Sequence, residues 1–150
     1  MQFFTILVST FFYIGYFPLA PGSMATLLTV GICYFLRSHG GIQIGLFLLV
    51  TVLGYLLSGR MEKITGKKDP SCVVIDEVAG CFMAFFLLPF TPAVLWSTFF
   101  LFRAFDMFKI YPANKLESLK GGLGIMSDDL VAGAYTNLIM QVALRITHIN

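Results

Sequence analysis

The sequence predicts an all-α, polytopic integral membrane helical bundle of about four to six membrane or re-entrant helices, and three observations carry that reading. Of the 150 residues, 57% are hydrophobic and only 12% are charged, about half the ~25% charge of an ordinary soluble domain. Mean hydropathy is +0.84 over the whole chain, so water is not its main solvent. The apolar residues also gather in runs separated by short polar or Gly/Pro-bearing breaks, without the sustained alternation of a membrane β-barrel. Residues 1–150 form a single membrane-embedded domain, with no length left for a separate soluble catalytic unit, so any chemistry sits in or beside the bilayer.

The runs cover residues 3–20, 24–35, 42–57, 72–90, 93–108 and 130–146. The first opens Met1-Gln2-Phe3-Phe4 with no basic residue ahead of it, so it is expected to be retained rather than cleaved as a signal. Pro21-Gly22-Ser23-Met24-Ala25-Thr26 reads as a turn and helix start. The run at 42–57 leads into a basic loop with Arg60, Lys63, Lys67 and Lys68. Runs 72–90 and 93–108 form a hairpin hinged at Pro89-Phe90-Thr91-Pro92, followed by a second basic loop with Lys109, Lys115 and Lys120. A flexible glycine loop, Gly121-Gly122-Leu123-Gly124, then precedes the last helix, which Ser127 or Asp128 is placed to cap. Runs shorter than the roughly 20 residues of a comfortable span are candidates for re-entrant segments, above all in the N-terminal half.

Lys and Arg collect in cytoplasmic loops. A two-helix hairpin returns the chain to its starting side, so both basic loops are assigned to the cytoplasmic face. Asp76, Glu77, Asp106, Asp128 and Asp129 then fall at that same end, and Pro21-Gly22-Ser23 joins them if the intervening runs cross.

A net charge of +2 and the lack of an arginine-rich stripe exclude nucleic acid as a partner. Cys33, Cys72 and Cys81 are odd in number and show no CxxC spacing, so they read as packing residues. His39 and His148 lie away from the acids in the sequence, which disfavours a zinc or histidine-dependent site.

Five of the eight acidic residues are set into or against apolar segments. Each costs about 2.5–3.5 kcal/mol at a bilayer centre, so their retention points to function. Converging carboxylates cannot all stay ionised without a cation, and Mg²⁺ suits an all-oxygen site shared with phosphate. Arg103, Asp106 and Lys109 follow one another at i, i+3 spacing, a carboxylate flanked by two cations on one helical stripe. The sequence has no Cys-x5-Arg loop, no Asp-x-Asp nucleophile pair and no histidine placed for phosphorylation, which favours direct attack of a metal-activated water on phosphorus. The alternative class is a small membrane cation transporter or channel, which predicts acids spread through the depth of the membrane. Collection at one end beside basic groups counts against it.

Four blocks resemble the bacterial phosphatidylglycerophosphatase A family: Pro21-Gly22-Ser23; Asp69-Pro70-Ser71 with Val73-Val74-Ile75-Asp76-Glu77 and Gly80; Phe102-Arg103 with Asp106 and Lys109; and Gly121-Gly122 through Gly124-Ile125-Met126 to Asp128-Asp129 and Ala132-Gly133. The resemblance implies a Mg²⁺-dependent phosphatase of phospholipid synthesis in the bacterial inner membrane, multi-pass, acting at the cytoplasmic face on a phospholipid held in the bilayer. It implies that phosphatidylglycerophosphate loses its terminal phosphate to give phosphatidylglycerol. Asp76, Glu77, Asp106, Asp128 and Asp129 look like the metal and acid/base set, and Arg103 and Lys109 like phosphate contacts, with Gly22 and Ser23 as further phosphate contacts. Asp128 or Asp129 is placed to orient the attacking water. Two positions depart from the family pattern: Met24-Ala25 stands where many members have Gly, and Lys109-Ile110-Tyr111-Pro112 where many have Lys-Pro-Trp-Pro.

Overall fold

Each apolar run of the sequence contains a helix, and the ends fall where local side-chain chemistry competes with the backbone. A computed structural model describes residues 1–116 and 118–147. The order is α1 (Gln2–Ser9), a short 3-10 turn (Ile14–Tyr16), α2 (Pro21–Phe35), α3 (Gly40–Thr65), α4 (Ile75–Ala84), α5 (Pro92–Phe108), α6 (Ala113–Leu116) and α7 (Gly122–Thr147), with no strand among the described residues. The all-α class is as predicted. Among those residues α3 is the one helix both long and apolar enough to cross a bilayer.

The ten-residue helix α4 occupies the centre, packed against α2, α3, α5 and α7. It is apolar nearly all round: Val78, Ala79, Cys81 and Ala84 are fully buried, and only Glu77 and Met83 are partly open. A helix with no polar face belongs inside a bundle. One core cluster joins it to Ala25 and Cys33 of α2, Phe102 of α5 and Ala132 of α7, and a second joins its start to Met61 of α3 and Met126 of α7.

Four element boundaries differ from the sequence reading. The run at 3–20 is not one helix. Its helix stops at Ser9, and Phe11, Phe12 and Tyr13 take left-handed φ values of 45°, 57° and 69°. The buried Thr10 hydroxyl, which donates to the Ile6 carbonyl (2.8 Å) and accepts from the Tyr13 N–H (3.1 Å), holds this turn; such local bonds compete with helix propagation. The run at 72–90 is helical only over α4. The carbonyls at its end are taken by Asn137 of α7, whose amide donates to Ala84 (3.1 Å) and Phe86 (2.6 Å).

Arg60 and Lys63 belong to the last turns of α3 rather than to a loop. At the other correction, α7 begins at Gly122, so Gly122 and Gly124 are helical, and Ser127 and Asp128 lie inside the helix rather than capping it. The Ser127 hydroxyl instead meets the Tyr55 hydroxyl of α3 at 3.3 Å. By contrast, the hinge before α5 is as expected: Pro92 takes the first helical position and the Thr91 hydroxyl accepts from the Val94 N–H.

Candidate active site

Each functional side chain is delivered by a helix end that meets α4. Asp76 and Glu77 occupy the first turn of α4, where the helix dipole favours negative charge. Arg103 and Asp106 sit in the last turns of α5, and Lys109 ends that helix in a left-handed conformation (φ 45°). Asp128 and Asp129 lie near the start of α7.

The carboxylates converge because α4 and α7 cross in backbone contact. A Cβ on Gly133 would fall 2.2 Å from the Gly80 carbonyl oxygen, and one on Gly80 would fall 2.6 Å from that of Asp129. Asp76 precedes Gly80 by one helical turn, and Asp129 precedes Gly133 by one turn, so the crossing fixes the separation of the two acids. One oxygen from each of Asp76, Glu77 and Asp129 lies within 4.8 Å of the others. Helix α2 closes on the same group from the side: a Cβ at Gly22 would lie 2.0 Å from Glu77 Oε1, so glycine lets the helix start approach this carboxylate without displacing it.

Basic groups are interleaved with the acids. Arg103 Nη1 lies 2.5 Å from Asp106 Oδ2 and 4.0 Å from Glu77 Oε1, while Lys109 Nζ binds Asp128 Oδ2 at 3.0 Å. Three carboxylate oxygens, Asp76 Oδ1, Glu77 Oε2 and Asp128 Oδ1, are buried without a hydrogen-bond donor among the described residues. Buried carboxylate oxygens left this way are costly. An all-oxygen donor set with orphaned acceptors fits a hard divalent cation, and Asp76, Glu77 and Asp129 are the residues that could hold one.

All of these groups open into one pocket of about 360 Å³, which also carries Pro21 and Gly22. It brings together Asp76, Glu77, Asp106, Asp128, Asp129, Arg103, Lys109 and Gly22. Ser23 is the one predicted site residue outside the lining. The pocket adds two polar side chains absent from the predicted set, Asp69 and Ser71. Asp69 has φ 46°, and its N–H donates to Glu62 Oε1 at 3.2 Å. The available signal was the Asp69-Pro70-Ser71 block itself, which has the composition of a turn and gives no hint that its exposed Asp69 and Ser71 border a site.

His39 stands at the start of α3, the opposite end from the pocket, and His148 lies outside the described residues. The three cysteines are free, with Cys33 and Cys81 buried.

The sequence profile of the phosphatidylglycerophosphatase A family matches residues 7–144. The chain belongs to this family. A Bacteroides thetaiotaomicron protein, provisionally assigned as a phosphatidylinositol-3-phosphatase, is 35% identical over 95% of this chain and 94% of its own length. Phosphatidylglycerophosphatase A of Haemophilus influenzae is 34% identical over 81% of this chain and 77% of its own. The Escherichia coli enzyme of the same name is 32% identical over 79% and 71%. No solved structure matches the chain. Family membership makes the chain a phosphatase of phospholipid metabolism and sets aside the cation-transporter alternative.

Proposed function

We propose that this chain is a Mg²⁺-dependent phosphatase that removes the terminal phosphate of phosphatidylglycerophosphate, leaving phosphatidylglycerol, at the cytoplasmic face of the bacterial inner membrane. The observation that carries this reading is the convergence of three mutually close carboxylates with Arg103 and Lys109 in one pocket. Carboxylates alone would repel a phosphate, and cations alone would bind it without activating water. Their alternation suits a phosphomonoester held against a divalent ion.

In this mechanism Asp76, Glu77 and Asp129 would hold the ion. When bound, it supplies neutralising charge and a more acidic water. Arg103 and Lys109, now paired with Asp106 and Asp128, turn toward the phosphate oxygens and offset charge that builds up in the transition state. The pairing keeps these cations oriented before substrate arrives. Asp128 or Asp129 orients the attacking water and takes its proton, and the glycerol oxygen gains a proton as its bond to phosphorus breaks. The α2 start at Pro21-Gly22, which lines the pocket, adds an anion-favouring helix terminus, with Ser23 just outside the lining.

A multi-pass membrane setting is supported by side chains that water would not tolerate in such numbers. Leu48, Leu49, Val52 and Leu56 of α3, Trp96 and Phe100 of α5, and Leu138, Ile139 and Val142 of α7 are all exposed. The approach of Gly59 to Gly122 puts the basic end of α3 beside the start of α7. Lys and Arg therefore gather at the pocket end, as expected for a cytoplasmic face.

The test is release of inorganic phosphate by detergent-purified protein from phosphatidylglycerophosphate, phosphatidylinositol 3-phosphate and phosphatidic acid, with Mg²⁺ and with EDTA. Turnover of phosphatidylglycerophosphate in preference to the others, lost in EDTA and restored by Mg²⁺, is expected. Preference for the inositol lipid would move the substrate assignment to that of the Bacteroides relative. Undiminished turnover in EDTA would overturn the metal.

A further inference from the structure

The unused feature nearest the acidic pocket is the aromatic turn that interrupts the first apolar run. Phe12, Tyr13, Ile14, Tyr16, Phe17 and Pro18 face Met24 and Leu28 of α2 across a cavity of about 380 Å³. Three consecutive non-glycine residues, Phe11, Phe12 and Tyr13, hold the sparsely populated left-handed conformation, and Phe12, Tyr13, Tyr16 and Phe17 remain exposed. The rings of Tyr13 and Tyr16 stack at 6.1 Å. Exposure alone would suit a bilayer, so what marks this cluster is the left-handed turn that sets its rings around a cavity.

Two connections tie this groove to the phosphate pocket. Pro21, Met24 and Leu28 lie at i, i+3, i+7 on one stripe of α2, with Pro21 lining the acidic pocket and the other two lining the groove. The turn is also seated directly on the segment that forms the pocket wall: a Cβ at Gly15 would fall 1.9 Å from the Cys72 carbonyl oxygen, next to Ser71. One continuous surface therefore runs from charged groups into an apolar, aromatic-lined channel along α2, and seven residues of helix carry it about 10 Å beyond the pocket.

The geometry points to this groove as the acyl-chain subsite: the lipid whose phosphate lies among Asp76, Asp129 and Arg103 lays the upper part of one acyl chain between Phe12 and the Met24–Leu28 stripe of α2. This rests on the phospholipid-phosphatase reading above and adds where the lipid body goes. The occupant is an acyl chain because the phosphate fixes one end of the substrate at the pocket, and the groove is the apolar surface continuous with it. The larger cavity, about 500 Å³ between α3, α4 and α7, lies beyond the Gly80–Gly133 crossing at the other end of α4 and serves as the control.

The experiment pairs kinetics with photolabelling. Leu28→Trp, which fills the groove, and Phe12→Ala, which removes a wall, are assayed on dioleoyl phosphatidylglycerophosphate and on its dibutanoyl analogue, whose chains are too short to reach Leu28. The expected result is a KM at least tenfold higher for the dioleoyl lipid in both variants, with kcat/KM for the dibutanoyl lipid unchanged. Equal losses on both lipids, or no change on either, would overturn the subsite. In parallel, a phosphatidylglycerophosphate bearing a diazirine on its acyl chain is photolysed with the wild-type protein in detergent. Labelling of peptides spanning residues 11–28 supports the subsite, and labelling confined to the control cavity around Phe86 and Leu138 overturns it. Should the wild type release no phosphate from either lipid, the functional reading fails and the labelling alone decides the groove.

Discussion

The two ends of α4 do opposite things with the same ten-residue helix. At its start, Asp76 and Glu77 face Asp129, Arg103 and Asp106, charges that no one residue could bring into an apolar bundle alone. At its end, Phe82, Met83 and Phe86 border a larger cavity whose polar lining is only Asn137 and Gln141. One end is held by charges that require one another, and the other by hydrogen bonds to spent backbone carbonyls. The comparison separates what the protein needs for chemistry from what it needs to stand. Substitutions at the first end should stop turnover while sparing the fold, and substitutions at the second should do the reverse.

The largest effect is expected at the charged end. Asp76→Asn or Asp129→Asn keeps the size of the side chain and removes a ligand charge, so phosphate release should fall by about 10²–10³-fold or more. Thermal unfolding in detergent should hold or rise, because relieving crowded like charges removes a folded-state cost. Near-normal turnover in both variants would sink the assignment of these residues.

Next comes the crossing that joins the two ends. Gly133→Ala puts a methyl group where the Gly80 carbonyl stands, and two backbones have no flexible side chain with which to yield. Overpacking of this kind costs about 1–3 kcal/mol. Because Asp76 and Asp129 sit one turn from the contact, the shift also spreads the carboxylates, and a displacement near 1 Å can lower kcat by about 10²-fold. This variant should therefore lose both stability and activity. A stable protein with wild-type kcat would show that the crossing does not set the spacing of the acids.

The charged end was legible in the sequence, and the apolar end was not. Acids inside apolar runs stand out by cost alone, and basic residues flanking them fix which end they share, so Asp76, Glu77, Asp106, Asp128 and Asp129 could be gathered without coordinates. Asp69 and Ser71 were hidden because a turn block looks the same whether it lines a site or faces water. Helix lengths were less visible still. Nothing in Phe85-Phe86-Leu87 marks a stop, since hydrophobic residues continue past the end of α4, and the cause lies in Asn137, some fifty residues away. The left-handed turn after Ser9 was obscured in the same way, because it depends on a single threonine hydroxyl amid aromatics.

The smaller effects belong to the end of α4. Asn137→Leu removes the donor to the part-buried Ala84 carbonyl and the shorter of two donors to that of Phe86, which keeps Gln141 at 3.5 Å, at a cost of about 1–3 kcal/mol. Thermal unfolding in detergent should move down accordingly, while kcat stays close to wild type because the carboxylates lie at the far end of the helix. Smaller again is Ala134→Leu, which adds methyl groups to a cavity with room for them, so stability should change by less than about 1 kcal/mol and turnover not at all. The pair is informative together. If Asn137→Leu lowered kcat as much as it lowered stability, the two ends of α4 would be mechanically linked, and the helix would have to be treated as one rigid post rather than a charged end and a supporting end that fail independently.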